Sequence, residues 1–183
     1  MTSRHAVIVP GGEYGPQGPL LMFAGEAAER RGATVRPMDW KRREDALALS
    51  EAELEAWVIG QVSPHLPVGV AGSGLLFVGK SLGTHAAALA AERAHPAVWL
   101  TPLLHYRQVV EALERSRAPF LLVGGTGDPL WDGDVARRLT PHVLEVEGAD
   151  HGMFVPGRLA ESAAVLGEVA TAVEDFLDEV VWV

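Results

Sequence analysis

The sequence has no cysteine, which removes disulfides, a thiolate nucleophile and cysteine-ligated metals in one step. Positive charge is scarce as well, with 15 Lys and Arg against 24 Asp and Glu and no long basic run. The resulting net charge of -9 disfavours nucleic acid or an anionic membrane as partner, because either needs a concentrated basic surface to displace counterions. Long apolar runs are missing too. The N-terminal segment MTSRHAVIVPGG has only a short apolar stretch, residues 5–9, before Pro10. That is too short for a signal-peptide core or a membrane span, so the expected location is the cytoplasm. The histidines lack the close paired spacing of metal sites, and neither a metal nor a cofactor is expected.

What the chain does have is alternation. HAVIV (5–9) reads as a buried strand stopped by Pro-Gly-Gly, and Pro19 opens a helix, LLMFAGEAAERR, that ends at Gly32. ATVRPMDW follows as a strand that Pro37 demotes to an edge position. SEAELEAWVI (50–59) begins with a serine and carries glutamate three places on, the capping-box signature of a helix start. LLFVG (75–79) is an apolar strand and LGTHAAALAAER (82–93) an alanine-rich helix. AVWL, HYRQVVEALERS, PFLLVGG, DGDVARRL, VLEVEG and ESAAVLGEVATAVEDFLDEV continue the pattern. Such alternation demands parallel strands with right-handed helical crossovers and helices on both faces. The expected fold is α/β, a three-layer αβα sandwich on a mostly parallel sheet. At 183 residues, with no repeat or linker, one domain is expected. Ligands of such sheets bind beyond the carboxyl ends of the strands, so function belongs in the loops just after each strand.

Residues 74–83, GLLFVGKSLG, satisfy two patterns that exclude each other. As G-x-x-x-x-G-K-[ST] they would cradle a phosphate; as G-x-S-x-G, ending in GKSLG, they would present a nucleophilic serine. A phosphate loop needs loop backbone between its first glycine and its lysine, and Leu75, Leu76, Phe77 and Val78 are strand core by every local criterion. The serine pattern needs strand, sharp turn and helix, and LLFV-GKSLG-THAAALAAER supplies all three. Gly79 and Gly83 then keep side chains from striking the neighbouring strand or helix. The alternative, that Ser81 merely caps its helix, leaves those flanking glycines without a reason.

A serine nucleophile needs a base, and the base a third group to fix its tautomer. The strand PFLLVGG is followed by TGDPLWD, with Asp128 on a turn of Gly127, Asp128 and Pro129; VLEVEG is followed by ADHGMF, with His151 on another turn. Asp132 and Asp134 are alternative acids, although they read as the cap of the next helix, and His85 and His105 lie near enough in the pattern to approach the site. His5, His65, His95 and His142 read as surface or edge residues, and Asp150 as a solvated turn residue.

In their order, GKSLG, GTGDPLWD and GADHGMF resemble the α/β-hydrolase superfamily, and within it the small members similar to dienelactone hydrolase. The resemblance runs from about His5 to the end of the chain. It implies Ser81 as nucleophile, Asp128 as acid and His151 as base, with no cap domain. It also implies a trimmed core of six strands in the order 2-1-3-4-5-6, lacking two N-terminal strands of the family. One oxyanion donor would be the N–H of Leu82 and the other would come from the Pro10-Gly11-Gly12 segment, with Gly12 preferred and Gly11 or Glu13 as alternatives. Tyr14, His105, Trp131, Met153 and Phe154 fall on loops of the same face and are candidates for the pocket. Lys80 is read either as a surface charge or as an attractor of anionic substrate, and the VVWV tail either folds back or meets another subunit. The expected activity is hydrolysis of a small-molecule carboxylic ester or thioester. A binding or scaffold protein on the same fold is the rival reading, as is acyl transfer or lactone hydrolysis by the same triad.

Overall fold

A computed structural model describes residues 3–183, apart from the side chains of Arg43, Asp45 and Leu47. Six strands form one sheet: β1 (Arg4–Val9), β2 (Ala33–Pro37), β3 (Leu75–Lys80), β4 (Ala97–Leu100), β5 (Phe120–Gly125) and β6 (Val143–Val146). Their order is β2-β1-β3-β4-β5-β6 and every neighbouring pair is parallel. Strict parallel pairing follows from the helical crossovers between successive strands. Pro37, which cannot donate to a ladder, sits at the end of the edge strand β2.

Alternation within the strands builds two cores. Leu76 and Val78 of β3, Val98 and Leu100 of β4, and Leu121 and Val123 of β5 face α1 (Pro19–Glu29) and α6 (Leu159–Phe176). Leu75 and Phe77, Ala97 and Trp99, and Phe120 and Leu122 face the other layer. That layer holds α2 (Glu51–Val62), α3 (Ala87–Glu92), α4 (Arg107–Arg115) and α5 (Gly133–Leu139). Burial of both faces explains why these strands read as unbroken apolar runs.

Local signals decide the helix starts. Pro19 occupies the first turn of α1. Ser50 caps α2 through the predicted box, its Oγ accepting from Glu53 N while Ser50 N donates to Glu53 Oε2 at 2.8 Å. Asp132 caps α5 by accepting from Val135 N at 2.9 Å, so it is a cap, as its position in the sequence indicates.

Two elements differ from expectation. The helix expected over 82–93 begins as a tight 3-10 segment, Ser81–Ala86, and becomes α-helical only at Ala87. The Thr84 hydroxyl donates to the Ser81 carbonyl, a side-chain bond that competes with the α-helical pattern in this first turn. The C-terminal tail follows a π-helical turn, Leu177–Val181, and folds back: Trp182 Nε1 donates to Ser73 O at 2.7 Å and the Arg4 guanidinium stacks over the indole. Among the described residues no helix is long and apolar enough to cross a membrane.

Candidate active site

The register aligns Val9 of β1 with Gly79, Lys80 of β3 with Leu100, Leu100 of β4 with Val123, and Gly125 of β5 with Val146. The carboxyl ends of β1, β3, β4, β5 and β6 therefore share one edge, and the loops that follow them converge there.

Leu75–Lys80 is strand throughout and wholly buried, so residues 75–78 cannot curl around a phosphate. Ser81 follows at φ 50°, a backbone region that costs a non-glycine residue about 1 kcal/mol or more. The flanking glycines are required by contact. A Cβ on Gly83 would lie 2.6 Å from Val9 O and 2.9 Å from Pro10 O, and one on Gly79 would lie 2.5 Å from the Trp99 ring.

The turn after β5 carries Asp128. Thr126 Oγ1 accepts from Gly148 N at 2.7 Å and Gly127 N donates to Ala149 O at 3.0 Å, so this turn lies directly against the turn that carries His151. A Cβ on Gly127 would come within 2.7 Å of Gly148 O, which is why glycine precedes the aspartate. The Asp128 side chain is fully buried, with Oδ1 accepting from Leu130 N at 2.9 Å. The His151 turn is shaped by Asp150, exposed as expected, whose Oδ1 accepts from Gly152 N at 2.8 Å and Phe154 N at 3.0 Å.

These turns bring three side chains into one hydrogen-bonded chain. His151 Nδ1 lies 2.7 Å from Asp128 Oδ2, and His151 Nε2 lies 2.8 Å from Ser81 Oγ. An imidazole donating from Nδ1 to the buried carboxylate leaves Nε2 as acceptor for the serine hydroxyl. In such a chain a hydroxyl can pass its proton to an imidazole whose tautomer the carboxylate fixes.

Facing Ser81 across the sheet edge is the loop after β1. A Cβ on Gly11 would lie 3.6 Å from Ser81 Cβ, and one on Gly12 would lie 3.9 Å from Leu82 Cδ2. Gly11 N donates to Tyr14 O at 2.9 Å and is committed there. Leu82 stands in the first turn of its 3-10 segment, where backbone N–H groups have no acceptor within the helix.

A cleft of about 230 Å³ opens at the residues that follow His151, lined by Tyr14, Leu20, Gly152, Met153, Phe154 and Leu159 among others; Ser81, Asp128 and His151 are not part of its lining. Tyr14, Met153 and Phe154, expected as pocket residues, are among its lining residues. His105 and Trp131 are not. His105 is exposed and lines none of the clefts described, because the neighbouring Leu103 and Leu104 take the inward positions of this loop. Trp131 is buried in the opposite core, stacked against Gly124 and donating from Nε1 to Glu145 Oε2 at 2.7 Å. His95 is buried too, its Nδ1 2.9 Å from Gly72 O, rather than at the surface. His85 lies under the elbow, 1% exposed, with neither ring nitrogen hydrogen-bonded. Burial pushes its pKa down to about 4. Among the described residues no group of His, Asp and Glu is placed to hold a metal ion.

Lys80 differs most from expectation: it is 2% exposed and cannot be a surface charge. Its Nζ lies 3.0 Å from Thr101 Oγ1 and 3.0 Å from the His151 carbonyl, and stands 4.7 Å from the centre of the Tyr14 ring. Neither this burial nor Thr101 had a sequence signal; the pocket residues on α6 could have been found from its apolar N-terminal turn.

No protein-family model and no curated protein sequence matches the chain. Solved structures do. A dienelactone hydrolase from Anabaena variabilis superimposes with a TM-score of 0.64 at 17% identity, covering 98% of this chain and 88% of that one. A ferulic acid complex of Est1E from Butyrivibrio proteoclasticus gives a TM-score of 0.68 at 13% identity, over 97% and 89%. A monoacylglycerol lipase from Paleococcus ferrophilus gives 0.58 at 17%, over 93% and 96%. At these identities the likeness is one of architecture alone: the chain has the α/β-hydrolase fold.

Proposed function

We propose that the protein is a serine hydrolase that cleaves carboxylic esters or thioesters through Ser81, His151 and Asp128. The observation that carries this reading is the continuous chain from Ser81 Oγ to His151 Nε2 at 2.8 Å and from His151 Nδ1 to Asp128 Oδ2 at 2.7 Å. Ser81 Oγ attacks the acyl carbon as His151 takes its proton. The N–H groups of Leu82 and Gly12 stabilise the tetrahedral oxyanion, and Asp128 stabilises the imidazolium. His151 then returns the proton to the leaving alcohol or thiol, and a water molecule repeats the sequence on the acyl-enzyme. Gly12 is taken as the second donor for its place beside the elbow, where a Cβ on it would lie 3.9 Å from Leu82 Cδ2. The apolar cleft at the residues that follow His151 suits the hydrocarbon part of a small neutral substrate.

The test is labelling with an aryl fluorophosphonate together with p-nitrophenyl acetate turnover. Modification confined to Ser81, and turnover that disappears in Ser81→Ala, are the expected results. A folded protein that neither labels nor turns over would instead be a binding or scaffold protein. Product analysis with an added alcohol separates hydrolysis from acyl transfer.

A further inference from the structure

Lys80 is a charge that the proposed mechanism does not use. Lysine is almost never fully buried unless paired, and among the described residues Lys80 has no ion-pair partner. Its ammonium instead meets one group from each of three loops: the Tyr14 ring after β1, the Thr101 hydroxyl after β4 and the His151 carbonyl after β6. As a stability device this is poor, since taking an ammonium out of water costs more than two neutral acceptors and a ring face return. A methionine of similar length would pack there without that cost.

The same spot concentrates backbone strain. Ser81, Thr101 and Met153 have φ of 50°, 42° and 63°. Ser81 adjoins Lys80, Thr101 bonds to it, and Met153 lies two residues beyond the carbonyl it holds. Such residues persist only where their surroundings over-determine them, and Lys80 is the tie common to these loops.

Resting on the serine-hydrolase reading, we infer that Lys80 is a positioning residue: its ammonium anchors the main chain of His151 so that the imidazole, held by Asp128 at Nδ1, keeps Nε2 on Ser81 Oγ. Asp128 fixes one point of the ring and Lys80 fixes the backbone that carries it. With the second point gone, the ring pivots about the first.

The charged and titratable groups that face the ammonium are Asp128, Asp150, Tyr14 and His151. Burial holds the Lys80 pKa down to about 8, with the Asp128 and Asp150 carboxylates opposing that effect. Below that pH the ammonium offers three donors; above it a neutral amine keeps two, without charge assistance, and charge-assisted bonds are roughly twice as strong. Turnover of a neutral ester therefore steps down to a lower plateau as pH rises through about 8.

The deciding variant is Lys80→Met, assayed with p-nitrophenyl acetate from pH 6 to 10 beside the wild type. Expected are a kcat lower by about 10- to 100-fold with KM little changed, because misplacement of a reacting group by about 1 Å costs up to that much. The alkaline step disappears and the thermal midpoint does not fall. Thr101→Val, which keeps the lysine and removes one acceptor of the charged form, moves the step to lower pH and decides the matter if Lys80→Met does not fold. A kcat within about threefold of wild type in Lys80→Met, or an unchanged alkaline step, overturns the inference while leaving the triad standing. A wild type that does not turn over removes both.

Discussion

Replacing Asp128 by asparagine tests the site without changing its shape. In the folded protein Oδ1 accepts from Leu130 N at 2.9 Å and Oδ2 accepts from His151 Nδ1 at 2.7 Å, with the carboxylate fully buried. An asparagine that keeps its oxygen on Leu130 N turns its NH₂ toward His151. The ring then presents Nδ1 as acceptor and carries its proton on Nε2, facing Ser81 Oγ, where a base is needed. Flipping the amide restores the tautomer but sets NH₂ against the Leu130 N–H, leaving a buried donor unsatisfied at about 1–3 kcal/mol, or roughly 5- to 150-fold in population. Loss of the carboxylate charge beside the developing imidazolium adds to this. In the serine-protease triad the equivalent change lowers kcat by about 10⁴-fold, and a similar loss is expected for Asp128→Asn. The assay is p-nitrophenyl acetate hydrolysis, with a thermal melt to show that the fold is retained. A folded Asp128→Asn protein within about tenfold of wild-type kcat would refute the tautomer argument.

His85, buried and unpaired, has a folded pKa of about 4 against an ordinary value of 6.5. Between those values the unfolded chain binds the extra proton, so its contribution is present above pH 6.5 and is lost as pH falls toward 4, by about 3 kcal/mol. Urea titrations across this window should show His85→Leu losing less stability than wild type; parallel curves would refute it. The apolar cleft makes a second expectation. Four extra methylenes at about 0.8 kcal/mol each should raise kcat/KM for p-nitrophenyl hexanoate over the acetate by up to about 200-fold. Ala163→Trp, which fills the cleft from α6, should erase that preference while leaving the acetate rate largely unchanged. An unaltered chain-length profile would place the acyl group elsewhere.

Residue order along the chain was enough to reveal the alternation of strands and helices, the capping of α2 by Ser50 and of α5 by Asp132, and the tight turn at Ser81. These depend on residue period and on turn chemistry within a few positions, so neighbours in the chain encode them. The order of GKSLG, GTGDPLWD and GADHGMF also carried the trio Ser81, Asp128 and His151, because each stands just beyond a strand that the register brings to one edge. Tertiary structure alone decided where the side chains between those landmarks go. Trp131 and Tyr14 both sit on loops of the active edge, yet one packs into the opposite core and the other lines the cleft. Lys80 reads as a polar residue at a strand end and becomes a buried tie because partners from loops 21 and 71 residues away close over it. Local pattern states which way a strand residue faces; it carries no record of which distant loops will cover it, since that follows from the crossovers that assemble the sheet.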